Sequence, residues 1–304
     1  MKSVIAQETV DLIPVDEHKS RLPGGFGLSA SAALYGLTVR QHFHGKRWMV
    51  MAALFLVPAC LALVIRAIEP NVTAVGLEFV LAFFFIPQAL LPLIALVYAS
   101  GIIQDEIEDQ TLTYLLIRPI PKWAIYLIKL LATLTTTVLL VASFTLVMYL
   151  AIYVGAPNPG VDKIPLRCLQ AIGLHSLAVI AYCCLFGFIS LLTRFTLVAG
   201  IVYTVIFEAG VANMPFSARM ASIIYYLRVL AMRTMEFIIT NPHNKENIAA
   251  DAWQFDIKKD PRLLEHPQVE TCLTVLLATS LITSVMAAVI CSQREFRLKT
   301  PEGS

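Results

Sequence analysis

Four carboxylates fall within five residues at Asp105, Glu106, Glu108 and Asp109, inside the stretch QDEIEDQTLTYLLIRPIPK from Gln104 to Lys122. Acids at the front of a helix suit the positive end of its dipole. Leu112, Leu115, Leu116 and Ile117 follow, and Arg118-Pro119 ends the pattern, because a proline disfavours helical geometry before it and donates no hydrogen bond. A short amphipathic helix between two apolar runs makes no covalent chemistry. It reads either as a docking element for a soluble partner or as a solvated turn.

Two further ionisable groups lie inside apolar runs, His175 and Glu208. An ionisable side chain within a membrane span is expensive enough to raise a functional hypothesis. His175 is read as a hydrogen-bonded packing residue or as part of a proton path. Glu208 sits near the outer end of its run, where it either lines a cargo path or reaches water or a cation. His42 and His44 lack a nearby third ligand for a metal. Other chemistries have no motif: there is no GxxxxGK[ST] loop, HExxH, GxSxG, glycine-rich dinucleotide fingerprint or pair of intramembrane aspartates. ATP is therefore not expected to be held on this chain. No inverted repeat of the kind common in secondary carriers is evident.

The elements that must position these groups are membrane helices. Hydrophobic residues make up 58 % and charged residues 14 % of 304, with a mean hydropathy of +0.73. That excludes an ordinary soluble domain. A formal charge of +2 gives no sign of nucleic-acid binding. Apolar runs long enough to cross about 30 Å of hydrocarbon are expected at about 48–65, 79–103, 123–154, 169–192, 195–214 and 272–290. The fold class is thus an all-α polytopic membrane protein, one transmembrane domain over 29–292, with polar tails at 1–28 and 293–304.

Several local expectations follow. A helix from Ser29 or Ser31 to Arg47 has an apolar side and a basic end, the design of an interfacial helix in contact with membrane lipid. Pro87 and Pro92 predict a kink in the second span. Lys129, near the start of the third span, is expected to snorkel to the interface. The insertion 216–269 opens with Ile223, Leu227, Leu230, Ala231, Met235 and Ile238 at helical spacing opposite Arg228 and Arg233, an amphipathic interfacial or re-entrant helix, followed by an exposed loop or small cap. Six cysteines lack metal-ligand spacing and read as packed thiols, a Cys168–Cys272 disulfide remaining conceivable.

Charge counting orients the chain. With both ends inside, the inner segments hold Lys2, Lys19, Arg21, Arg40, Lys46, Arg47, Arg118, Lys122, Arg194, Arg294, Arg297 and Lys299, while the short outer links hold Arg66, Lys163 and Arg167. Long loops such as the insertion translocate largely regardless of charge. This places the Gln104–Lys122 stretch in the cytoplasm.

The run from Ala99 to Ala132 resembles the region between the second and third spans of type-2 ABC exporter permeases. The matching positions are Glu106 and Glu108, Thr111-Leu112, Leu115-Leu116, Arg118-Pro119 and Lys129. The resemblance implies that 105–117 is a coupling helix resting on a separate ABC ATPase subunit, which would carry ATP and Mg. Asp105, Glu106, Glu108, Asp109, Gln110, Thr111 and Tyr114 would then face that subunit, with Arg118 and Pro119 fixing the helix end. A homodimer in a bacterial inner membrane, exporting an unidentified cargo, is the reading that follows. An ion-coupled carrier using Glu208 and His175 and a non-transporting anchor for an ATPase remain the alternatives.

Overall fold

The computed structural model describes residues 28–69, 72–108, 120–156, 161–214, 217–235, 237–241, 244–253, 255 and 266–293. Among them six helices are long and apolar enough to cross a membrane: Lys46–Ile68, Ala74–Asp105, Lys122–Tyr153, Ile164–Leu192, Thr196–Asn213 and Val269–Gln293. The protein is an all-α polytopic membrane protein. Helix α1 (Leu28–His44) precedes the first span, α2 (Lys46–Ile68), and packs against the third.

The second span is a composite. It runs through α3 (Ala74–Leu77), a π-helical stretch Glu78–Leu90, α4 (Leu91–Ala99) and α5 (Gly101–Glu108). Pro87 falls inside the π-helical stretch, and Pro92 opens α4. A proline clashes with the carbonyl four residues earlier, and the wider π turn accommodates the lost bond. Sequence reading anticipated a kink here; the structure meets the prolines with a change of helical pitch.

The third span is α6 (Lys122–Tyr153) and the fourth α7 (Ile164–Leu192). Hydroxyls along α6 return to its own backbone: Thr133 donates to Lys129 O, Thr136 to Ala132 O and Thr137 to Thr133 O. Polar groups are thereby satisfied where lipid offers no partner. At the other end of α6, Arg66 Nη1 donates to Ala151 O at 2.9 Å and Val154 O at 2.8 Å, so a cation from the first span covers the negative end of the third.

The fifth span begins as α8 (Thr196–Tyr203), widens to π geometry over Thr204–Gly210 and tightens to a 3₁₀ turn at Val211–Asn213. It meets the second span closely at Gly200, where a side-chain carbon would strike the Leu96 side chain. The sixth span is α11 (Val269–Gln293), preceded in the chain by α9 (Ile223–Thr234), β1 (Ile238–Asn241), β2 (Asn244–Asn247) and α10 (Ile248–Ala252).

Burial sorts the spans into core and periphery. Within the protein, 61 % of the second span's most apolar stretch and 56 % of the fourth's are buried, against 22 % for the fifth and sixth. The second and fourth spans therefore form the centre, and the outer spans present apolar faces to lipid.

The first helix of the insertion is more buried than an interfacial helix would be. Helix α9 is buried on most sides, with Ile223, Leu227, Arg228, Val229 and Leu230 all buried. Its two arginines also bond within the protein, Arg228 to Asn213 and Gln88 and Arg233 to the Pro267 carbonyl, so the helix packs against protein on its polar side as well. Beyond it β1 and β2 pair antiparallel, Ile238 opposite Asn247. Trp253 and Phe255 are buried, and Phe79, Phe237 and Trp253 make edge or tilted ring contacts at 5.1–6.1 Å. Of the exposed loop and the small cap that the sequence left open, these described parts form a cap, aromatic and set over the start of the second span. All six cysteines are free thiols.

Candidate functional site

The acidic stretch emerges from α5, and its first carboxylate is already engaged. Arg47 Nη1 donates to Asp105 Oδ2 at 2.7 Å and Nη2 to Oδ1 at 2.9 Å. A fork of two parallel bonds fixes direction as well as distance. Gly101 makes room for it, since a side-chain carbon there would collide with the Asp105 carboxylate and lie 2.6 Å from Arg47 Nη1. One residue earlier, Gln104 Nε2 donates to Arg194 O at 3.1 Å, tying α5 to the link between the fourth and fifth spans. The start of the acidic helix is thus clamped to the α1–α2 elbow on one side and to a second loop on the other.

Beneath the clamp lies a cavity of about 350 Å³ lined by Thr38, Gln41, His42, Lys46, Arg47, Asp105, Lys129 and Thr133, among others. Lys129 does not reach outward as its position in the sequence implied. It is 4 % exposed and donates from Nζ to Ile102 O at 3.2 Å, because the end of the second span offers a carbonyl within the bundle. His42 Nε2 lies 3.2 Å from Thr133 Oγ1. The Thr133 hydroxyl spends its proton on Lys129 O at 3.0 Å, so Nε2 of His42 is the donor in that contact. Burial, reinforced by the Arg47 and Lys129 cations and opposed by Asp105, holds the His42 pKa down at about 4.

At the opposite end of the second span, two buried acids are fully engaged. Glu78 is inaccessible and accepts from Tyr149 Oη, from Tyr153 Oη at 2.7 Å and from Arg167 Nε at 2.8 and 2.7 Å. Arg167 also lies 5.2 Å from the Phe237 ring. This cluster joins the second, third and fourth spans and the cap.

Glu208, in the π-helical part of the fifth span, is also inaccessible. Its carboxylate accepts from Ile223 N at 3.1 Å, Ile224 N at 3.0 Å and Tyr203 Oη at 3.0 Å. The first two are unpaired amides at the start of α9, where negative charge is favoured. Gln88 Nε2 donates to the Glu208 backbone carbonyl at 2.9 Å, and Gln88 Oε1 accepts from Arg228 Nη2 at 2.8 Å. Arg228 Nη1 donates to Asn213 Oδ1 at 2.9 Å. Arg228, expected on a polar outer face, therefore turns inward, where two amide oxygens satisfy it. Burial lowers its pKa to about 10.

His175 is inaccessible in the fourth span, with Nδ1 3.0 Å from Thr145 Oγ1 and its ring 5.4 Å from that of Phe83. The partners of His175 and those of Glu208 do not overlap. Glu106 and Glu108 belong to the backbone of α5. Asp109, Gln110, Thr111, Tyr114, Arg118 and Pro119 lie outside the described residues. Among the described residues no group of three or more His, Cys, Asp or Glu side chains converges to hold a metal.

Sequence reasoning missed Glu78, Arg167 and Gln88, and it placed Arg47 only at lipid. The available signal was an acid at the start of one apolar run and a base at the start of another on the same expected side. A family model described as ABC-2 family transporter protein matches residues 44–210, more than half of the chain. No curated protein matches it.

Proposed function

The chain belongs to the ABC-2 transporter family, and from that premise we propose that it is the permease subunit of an ABC exporter, driven by ATP hydrolysed on a separate subunit. In this family the permease is a membrane transport component that normally works with an ABC ATPase. Two copies of the chain would pair in the membrane, with both termini and the acidic stretch in the cytoplasm and ATP and Mg on the partner. A bacterial inner membrane is the setting this reading takes.

The observation that carries the reading is the clamp at the base of the acidic stretch. A lever that transmits force needs a rigid root. Asp105 is held by Arg47 in a two-bond fork, and Gln104 by Arg194 O. Push applied beyond Glu108 would then reach the α1–α2 elbow and the loop between the fourth and fifth spans together. In this proposal Glu106, Glu108, Asp109, Gln110, Thr111 and Tyr114 contact the ATPase, Arg118 and Pro119 end the helix, and Asp105 roots it.

In this proposal Glu208 and His175 are structural members rather than parts of the cargo path: both side chains are fully buried, the Glu208 carboxylate is held by the amides of Ile223 and Ile224, and His175 Nδ1 lies against Thr145 Oγ1. The same burial disfavours an ion-coupled carrier, which needs a titrating group open to water. Reconstitution with the partner ATPase tests the whole proposal. The double substitution Glu106→Lys/Glu108→Lys should abolish coupled transport while leaving membrane insertion and ATP hydrolysis by the free partner unchanged. Transport and partner binding that survive the double substitution would overturn it.

A further inference from the structure

We infer that Gln88 is a positioning residue for transport: it latches the second span to the fifth at the end away from the acidic stretch, and the π-helical turns beside it let the fifth span swing when the latch opens. The inference rests on the permease reading and deepens it by naming the joint that moves.

Gln88 stands in the π-helical stretch Glu78–Leu90, directly after Pro87, and reaches the π-helical stretch Thr204–Gly210. Its Nε2 donates to Glu208 O at 2.9 Å, and Asn213 Nδ2 donates to Ala209 O at 2.7 Å. Both carbonyls lie just before the fifth span tightens from π to 3₁₀ turns, where a change of pitch takes carbonyls out of the helical ladder. Arg228 on α9 decides which way the two carboxamides face. It donates from Nη2 to Gln88 Oε1 and from Nη1 to Asn213 Oδ1, which turns both amide nitrogens toward the fifth span. One guanidinium thus organises a bridge across the second span, the fifth span and α9.

The two ends of the second span's π stretch are held differently. Glu78, at its start, is bound to Arg167, Tyr149 and Tyr153, a buried ionic joint to the third and fourth spans. Breaking such a joint strands a buried charge. No carboxylate takes part in the four bonds of the Gln88 bridge. Gln88 is half-buried, and Asn213, the last residue of the fifth span, is exposed, so water can take over these partners at small cost. The second, third and fourth spans therefore stay together while the fifth lets go. The close approach of Gly200 to the Leu96 side chain supplies a fulcrum, and π turns, which recur at functional sites, take up the change of pitch.

The test measures spin-label distances on the full-length chain in nanodiscs, alone and with the partner ATPase trapped by ATP and vanadate. Val80→Cys with Val205→Cys reports the distance from second to fifth span, and Val80→Cys with Leu169→Cys is the control from second to fourth. All three positions are exposed; Cys60→Ser removes the exposed native thiol, and the other five cysteines are buried. Trapping should lengthen the first distance by on the order of 5 Å, the scale of a one-turn slip between packed helices, and leave the control in place. Gln88→Leu should produce that lengthening in the chain alone. Gln88→Glu sets a carboxylate against Arg228 and should hold the short distance even when trapped. A merely structural glutamine would lose the short distance in both variants, which would overturn the inference. So would a first distance that trapping leaves fixed, an equal change in the control pair, or a Gln88→Leu chain with the wild-type distance at rest. A chain that captures no ATPase would overturn the permease reading instead, and the resting distances of Gln88→Leu and Gln88→Glu would still decide the latch.

Discussion

Arg47 and Asp105 are 58 residues apart in sequence and meet in a two-bond fork that joins the start of the first span to the end of the second. Neither residue is deeply buried, at 44 % and 38 % exposed. Exposed pairs contribute only about 0–1 kcal/mol to stability. The value of this pair is therefore geometric: it aims the helix that carries the remaining acids.

Reversing one charge should disturb aim more than stability. Asp105→Arg is expected to shift unfolding by about 1 kcal/mol or less yet reduce transport per ATP hydrolysed severalfold in a reconstituted complex. The exchange Arg47→Asp/Asp105→Arg should recover a good part of the loss. A swap that recovers none would show that the fork does not set the direction of α5.

The Glu78–Arg167 pair is the opposite case, inaccessible on the acid side and held by Tyr149 and Tyr153. Removing one partner of a buried pair costs about 3–5 kcal/mol, because a charge is left without its counterpart. Arg167→Met alone should lower thermal stability in detergent sharply, and Glu78→Gln/Arg167→Met should be milder than the sum of the two single substitutions. Additive effects in that cycle would rule out coupling between them.

Glu208→Ala should leave the amides of Ile223 and Ile224 without their acceptor, at about 1–3 kcal/mol for each orphaned donor. Glu208→Gln keeps one carbonyl oxygen and should fall between wild type and alanine. Thermal unfolding measures the order directly, and proteolysis within 217–269 reports whether α9 has come loose. Alanine as stable as the native chain would refute the capping role.

His42 predicts a pH dependence of definite sign. Its folded pKa lies near 4, below the ordinary 6.5, so between those values the unfolded chain binds a proton that the folded chain does not. Stability should therefore decline as pH falls from about 6.5 to about 4, and the loss is complete below the lower value. His42→Gln should flatten that part of the profile in denaturant titrations at stepped pH. An unchanged slope would mean that His42 is not the responsible group.

Much of this architecture was legible in the chain because lipid imposes a simple rule. A backbone in hydrocarbon must satisfy its own hydrogen bonds, so long apolar runs become helices. The six spans and the acidic stretch of Asp105–Asp109 follow from that rule and from the order of residues alone. So does the family resemblance carried by Glu106 to Lys129, which the match over 44–210 supports.

Which polar residues meet was decided elsewhere. Glu78 and Arg167 lie 89 positions apart, and Gln88 and Arg228 lie 140 apart. Neither spacing carries a local period. Arg228 read as a surface cation and Lys129 as a snorkelling one, yet both turn inward because carbonyl and amide oxygens from other spans await them. Hydropathy reports how much each segment avoids water. It is silent on helix rotation and depth, and only the packed bundle fixes those, bringing each buried charge to its partner.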